Sequence, residues 1–336
     1  MGNHYRTGGY LPLLVLVAAC GERQPVFPEH ADIPVAPAQA EPSLASPSEA
    51  QPGTADGDRP TPPEAPAPAP APPPPVASTT PTAAVAPEPV AEAPEPAAAA
   101  VPRPQAQALA VPAPITEIID AIDRYDSDRD LDAGRHPGEL LAFLGLERGM
   151  HVGELFAGKG YTTELLARRV GTTGTVWAEN PPALLKVVGR QYGERLGKGV
   201  MQNTNRVDQP ADAPWPTEAR NLDAVVIVLA YHDAAWLGVD RNAMNKAAFD
   251  ALKHGGEYVV VDHAAATGRG ASDAKTLHRI EEDTVVREVL SAGFHKTESA
   301  AFLRNPDDAR DWNASPAAAG DKRGTSDRFV LKFVRP

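Results

Sequence analysis

Between residues 151 and 334 the chain alternates short apolar runs with longer stretches of helical spacing, and this limits its fold more than any other feature. The apolar runs fall at 151–156, 174–178, 200–203, 222–229, 257–261, 296–302 and 328–334. The helical stretches fall at 161–170, 182–196, 241–253 and 273–292. Most of these runs are rich in Val, Ile or Leu and bounded by turn residues, the pattern of buried strands; 200–203 and 296–302 are more polar. Strands alternating with helices build a mainly parallel sheet with helices on both sides. No helix separates the last two runs, which predicts an antiparallel edge pair. The expected class is therefore α/β, a Rossmann-like doubly wound sheet of seven strands.

In such a sheet a ligand binds outside the carboxyl ends of the strands. Glu154-Leu155-Phe156-Ala157-Gly158-Lys159-Gly160 sits where that loop is expected, after the first strand and before a helix. A turn of this kind aims backbone N–H groups and a helix N-terminus at an anionic group. Gly158 and Gly160 permit positive φ and close backbone approach. Glu179 ends the second strand, where a carboxylate accepts hydrogen bonds from both hydroxyls of a ribose. The plainer alternative is a tight turn and an ordinary strand-end carboxylate. Dinucleotide sites use three glycines to reach a pyrophosphate. Here Phe156 stands at the first position and Thr163 at the third. A ligand without phosphate needs fewer glycines, and Glu154 suits a ligand carrying a cationic amino group.

Further motifs join this one. Residues 222–229 read Leu-Asp-Ala-Val-Val-Ile-Val-Leu, and 251–256 read Ala-Leu-Lys-His-Gly-Gly before the fifth strand. Tyr231-His232-Asp233, Asp262-His263 and Thr276-Leu277-His278-Arg279-Ile280 follow. From Ile115 to Pro336 the chain resembles class I S-adenosylmethionine-dependent methyltransferases. More narrowly, it resembles a group of predicted bacterial methyltransferases that carry export signals. The resemblance implies the strand order 3-2-1-4-5-7-6, S-adenosyl-L-methionine as cofactor and a small-molecule methyl acceptor. It implies cofactor contacts from Glu154, Phe156, Ala157, Gly158, Gly160, Glu179 and Asn180. Phe156 stands where the family more often has glycine, and His254 where it more often has proline.

In that fold the end of the fourth strand faces the transferred methyl group. Tyr231, His232 and Asp233 are expected there, with His232 or Asp233 as base and Tyr231 as a positioning group. Asp262 and His263 share the rim, completing the candidate catalytic set. The alternative is that Tyr231-His232-Asp233 only caps the next helix. A rival chemistry takes His232, Asp233, Asp262, His263, His278 and Glu282 as ligands of a divalent metal that activates water, as in a hydrolase. His278 and Glu282, four apart, would share one helix face. No tight motif such as His-Glu-x-x-His occurs, so no metal is assigned, and 278–282 is expected to be a surface charge cluster on a helix. A third possibility is a ligand-binding module that keeps the fold without catalysis.

The first third of the chain differs in kind. Of 36 prolines, 26 lie between Pro25 and Pro114. A segment this rich in Pro and Ala buries too little apolar surface to offset ordering entropy. Residues 21–113 are accordingly expected to be a disordered linker, reaching at most roughly 280 Å if extended as polyproline II. Before it, Arg6 precedes the apolar run 11–19, which is too short to span a bilayer but suits a signal segment. Val17-Ala18-Ala19-Cys20 resembles the bacterial lipoprotein box, which implies lipidation at Cys20, the only cysteine. Residues 1–20 are the expected signal, and 114–336 the expected domain. Gly21 after the cysteine implies an exported, outer-membrane-anchored protein. Net charge is −12, without a basic stripe, so nucleic acid is not an expected partner. Asp128, Asp130, Asp132 and Glu139 match positions of a calcium loop. The glycine is missing and Pro137 intervenes, so a solvated acidic turn is expected. The connection holding residues 304–313 is either a lid or a surface excursion.

Overall fold

The computed structural model describes residues 105–336. The signal and lipidation motif at 1–20, Cys20 included, and the linker up to residue 104 lie outside the described residues. Seven strands are present: β1 (His151–Leu155), β2 (Thr175–Glu179), β3 (Thr204–Val207), β4 (Leu222–Val228), β5 (Leu252–His263), β6 (His295–Ala300) and β7 (Arg328–Val334). The α-helices are α1 (Ala113–Ile119), α2 (Asp126–Arg135), α3 (Pro137–Leu144), α4 (Tyr161–Val170), α5 (Pro182–Leu196), α6 (Tyr231–Trp236), α7 (Arg241–Ala251), α8 (Ala274–Leu277) and α9 (Glu282–Ser291).

The strands form one sheet in the order β3-β2-β1-β4-β5-β7-β6, the order that the methyltransferase resemblance implied. β1 to β5 are parallel, and β7 runs antiparallel to both β5 and β6. The register brings the functional positions to one edge. Glu154 pairs with Ala178 and Val226 across β1's two neighbours, while His263 pairs with Arg328. The ends of β1, β2, β4 and β5 thus meet the start of β7.

The period of two along β4 explains why its apolar run is continuous. Ala224 and Val226 pack on one face with Val152, Val176 and Val259; Val225 and Ile227 pack on the other with Leu155, Val260 and Leu331. α1, α3 and α4 supply apolar side chains to the first face; α6, α7 and α9 supply them to the second. Each fully buried Val, Leu or Ile contributes about 1.5–3 kcal/mol from apolar burial, as an upper bound. Among the described residues no helix is long and apolar enough to cross a membrane.

Four expectations change. The third strand lies at Thr204–Val207 rather than 200–203, where a short 3-10 turn (Gly199–Met201) forms instead. The helix expected at 273–292 is two helices, broken at His278, whose φ of 50° is left-handed. Ile280 then bridges to Ala264 beside β5. The acidic segment from Asp126 is the first turn of α2, where carboxylates favour the helix N-terminus. Asp128 there is buried against Arg195 rather than solvated. Finally, the folded region begins before residue 114. Gln107 N–H donates to the Ala301 carbonyl, and Pro112 caps α1.

Candidate functional site

The glycine loop is built from β1 and β2 together. Phe156 N–H donates to Glu179 Oε2 at 3.0 Å, and Ala157 N–H donates to the Glu179 carbonyl at 2.8 Å. Gly158 N–H donates to Asn180 Oδ1 at 2.8 Å, while Asn180 Nδ2 donates back to the Gly158 carbonyl at 3.0 Å. Gly160 N–H donates to the Ala157 carbonyl. The expectation that this turn offers its N–H groups to an anion therefore changes for Phe156, Ala157 and Gly158, whose N–H groups Glu179 and Asn180 already engage.

Backbone conformation explains the sequence here. Phe156, Gly158 and Gly160 all have positive φ, at 55°, 59° and 83°. The first is costly for a residue with a Cβ, by about 1–2 kcal/mol. At Gly160 a Cβ would also come within 2.8 Å of Arg195 Cδ. Arg195 fills that space because its Nε donates to the Lys159 carbonyl while its guanidinium pairs with Asp128 and Glu164. Asp132 takes hydrogen bonds from the Tyr161 hydroxyl and from Arg124. α2 is thereby fastened to the loop and to the first turn of α4.

Two carboxylates stand at the ends of β1 and β2, both buried. Glu154 is 2 % exposed and accepts from Thr163 Oγ1 at 2.5 Å. Burial pushes it up to about 7, with the Thr163 hydrogen bond and the charges of Arg195 and Arg135 only partly opposing. Glu179 is fully buried and is pushed up to about 8. Burial dominates, the Phe156 N–H opposes it, and repulsion from Asp208 and Glu154 adds to it. Glu179 Oε1 is buried with no hydrogen-bond partner among the described residues. An unsatisfied buried oxygen costs about 1–3 kcal/mol and calls for a donor.

At the end of β5, Asp262 accepts twice from His232. Oδ1 lies 2.7 Å from Nδ1, and Oδ2 takes the backbone N–H at 2.7 Å. His232 Nε2 lies 3.2 Å from Asp233 Oδ1, which also accepts from Trp236 Nε1 at 2.9 Å. Burial alone would lower His232, but the charges of Asp262 and Asp233 outweigh it and hold the ring up at about 10. His263 stacks edge-on against His232, ring centroids 5.7 Å apart, and its Nδ1 lies 2.7 Å from Ser326 Oγ. Burial lowers His263 well below its usual value, and the charges of His232, Arg328 and Arg279 add to that. His278 joins from the break between α8 and α9, Nδ1 3.6 Å from Asp233 Oδ1.

The structure thus gathers His232, Asp233, Asp262 and His263 as the sequence suggested, and adds His278. Tyr231 lies apart: its hydroxyl donates to Glu288 and accepts from Asn245, within the layer of α7 and α9. In the first turn of α6 the backbone N–H of His232 is taken by Asp262. The surface charge cluster expected at 278–282 is not one. Arg279 is fully buried and donates to Asp308, while Glu282 pairs with Arg304 instead of sharing a face with His278. Asp308 also accepts from Trp312 Nε1 and the Asp327 N–H, so the 304–313 connection is pinned rather than a loose excursion. Sequence reasoning did not find Arg195, Trp236 or Ser326, nor the bond from Thr163 to Glu154, because their partners are distant in the chain or carry no motif. A cavity of about 430 Å³ lies elsewhere, lined by Arg148, Arg169, Gly171 and Asn203 at the amino ends of the strands.

No family model matches this chain, and no curated protein matches it in sequence. Solved structures do resemble it. An S-adenosylmethionine-dependent methyltransferase from Aquifex aeolicus is 15% identical; the match covers 63% of this chain and all of that one, with a TM-score of 0.45. An arsenic(III) S-adenosylmethionine methyltransferase from Chlamydomonas reinhardtii is 14% identical, with 67% and 73% covered and a TM-score of 0.42. A glycopeptide N-methyltransferase complexed with sinefungin is 15% identical, with 63% and 86% covered and a TM-score of 0.40. Likenesses of this depth concern the path of the chain; a ligand has to be argued from side chains.

Proposed function

We propose that residues 105–336 form an S-adenosylmethionine-dependent methyltransferase for a small-molecule acceptor. The observation that carries this is the pair of buried strand-end carboxylates, Glu154 and Glu179, beside a loop whose Phe156, Ala157 and Gly158 N–H groups are engaged. That donor-hungry set fits a nucleoside bearing a cationic amino group. Glu179 would accept from the ribose hydroxyls and Glu154 from the amino group. Gly158 and Gly160 give the backbone its turn, and Phe156, Ala157 and Asn180 shape and hold the loop.

The bound cofactor would supply a methyl group on a sulfonium centre, open to in-line attack. The chain's own part is mainly to position the acceptor. Where the acceptor carries a proton, a base must take it. His232 is committed on both ring nitrogens, to Asp262 and Asp233. His263 is held through Nδ1 by Ser326, while its Nε2 makes no hydrogen bond among the described residues. His263 is therefore the proton acceptor in this proposal, with Asp262 and His232 fixing the rim around it.

The deciding measurement is calorimetric titration of the full chain with S-adenosylhomocysteine. Binding by the wild type, abolished in Glu179→Ala, is expected. No binding, or preferential binding of a dinucleotide, would overturn the proposal. The export proposal stands on Cys20 and the apolar run before it. We expect fatty-acid labelling of the wild type in a bacterial host and none in Cys20→Ser. An unlabelled wild type would end the lipid-anchor reading.

A further inference from the structure

The geometry points to a divalent transition-metal site formed by His232, Asp233 and His278. Their ligating atoms all lie within 4.8 Å of one another. His232 Nε2 and Asp233 Oδ1 are 3.2 Å apart, and Asp233 Oδ1 and His278 Nδ1 are 3.6 Å apart. Tetrahedral ligation at about 2.0–2.1 Å sets neighbouring ligand atoms about 3.3 Å apart. The two measured edges bracket that spacing, so a cation fits with small side-chain adjustment.

The surrounding contacts are those a metal site needs. A ligating histidine is normally oriented by a carboxylate on its other nitrogen. Asp262 Oδ1 does this for His232, 2.7 Å from Nδ1, and Asp262 Oδ2 fixes the same residue's backbone. The metal-facing nitrogen is thereby set as Nε2. Asp233 is steadied by Trp236 Nε1. His278 is aimed by the left-handed break between α8 and α9, and that break is pinned to β5 because Ile280 N–H donates to the His263 carbonyl. The rings of His232 and His278 meet edge-on, centroids 5.3 Å apart.

Two imidazoles and one carboxylate select a borderline first-row cation such as Zn²⁺ over Mg²⁺ or Ca²⁺, which prefer all-oxygen sites. Three protein ligands leave at least one coordination position for water or a donor atom of a substrate. The site stands at the ends of β4 and β5, where an acceptor is proposed to bind, but cation uptake needs no S-adenosylmethionine and does not depend on that proposal.

The test is titration of the full, metal-stripped chain with Zn²⁺, and with Co²⁺ read by its visible ligand-field absorption. We expect one cation per chain and tetrahedral-type Co²⁺ bands. His278→Asn, which keeps a residue tolerant of the left-handed backbone, should weaken binding at least tenfold. Asp262→Asn should weaken it by about 10–100-fold by loosening His232. His295→Ala, an exposed histidine on β6, should change nothing. Circular dichroism separates loss of binding from loss of fold. Absence of Zn²⁺ uptake by the wild type, or uptake unchanged in a folded His278→Asn, would overturn the site and leave His232–Asp233 a simple hydrogen-bonded pair. Titration with S-adenosylhomocysteine runs in parallel, so failure of either proposal shows independently.

Discussion

At the ends of β1 and β2, Glu154 and Glu179 are buried with only hydroxyl and amide hydrogen-bond partners. At the ends of β4 and β5, Asp262 and Asp233 are buried on either side of the His232 ring. The first pair is held up at about 7 and about 8 because burial is not compensated locally. In the second region opposite charges meet inside the fold, and His232 is held up at about 10. The ends of β1 and β2 therefore keep two carboxylates short of positive charge, while at the ends of β4 and β5 an imidazole between the carboxylates supplies part of it. A buried carboxylate is costly or stabilising according to which of these it is.

The largest expected effect breaks the comparison on the ligand side. Glu179→Ala should weaken S-adenosylhomocysteine binding about a thousandfold, since two hydrogen bonds to a charged group are worth ~1.5–3 kcal/mol each. Calorimetry measures it, and a loss under tenfold would place the ribose elsewhere. On the scaffold side, Asp262→Ala leaves His232 against a single carboxylate and should cost ~3–4 kcal/mol of stability, read by chemical denaturation. A cost below 1 kcal/mol would mean that the two regions do not differ as described.

The third prediction concerns pH. Glu154 and Glu179 have folded-state values above the ordinary 4.5, so the folded chain binds more protons than the unfolded one between about pH 4.5 and pH 8. Their contribution to stability is greatest below that window and falls as pH rises through it. Ligand affinity should run the other way, increasing as the carboxylates ionise. Glu154→Gln should be more stable than the wild type near pH 8, by up to about 3 kcal/mol, and bind the ligand less well. Thermal melts of the wild type and Glu154→Gln across this range decide it; a stability difference that does not shift toward the variant from pH 5 to 8 would contradict the assignment. The smallest effect sharpens the loop's role. Gly158→Ala places a Cβ whose nearest neighbour is the Phe156 carbonyl at 4.0 Å, so only the φ of 59° is penalised, about 1 kcal/mol.

The sheet was legible because its strands announce themselves by continuous apolar runs, and the glycine turn by its place after β1. β3 was misplaced because Thr204, Asn205 and Arg206 are an exposed or half-buried edge without apolar signal, while Val200 and Met201 just before it look strand-like. The break at His278 was invisible because helical apolar spacing continues from Leu277 through Ile280 to Val285 across it. Asp128 resembled a solvated carboxylate because its partner, Arg195, lies 67 residues away. The candidate ligands were readable as a set; their distances were not, since Asp262 and His278 reach His232 and Asp233 only through the sheet register and a left-handed turn.

Arg195 has a mechanical consequence. One side chain grips Asp128 of α2, Glu164 of α4 and the Lys159 carbonyl of the glycine loop. Replacing this one residue would therefore release two helices and the glycine turn from one another in a single step.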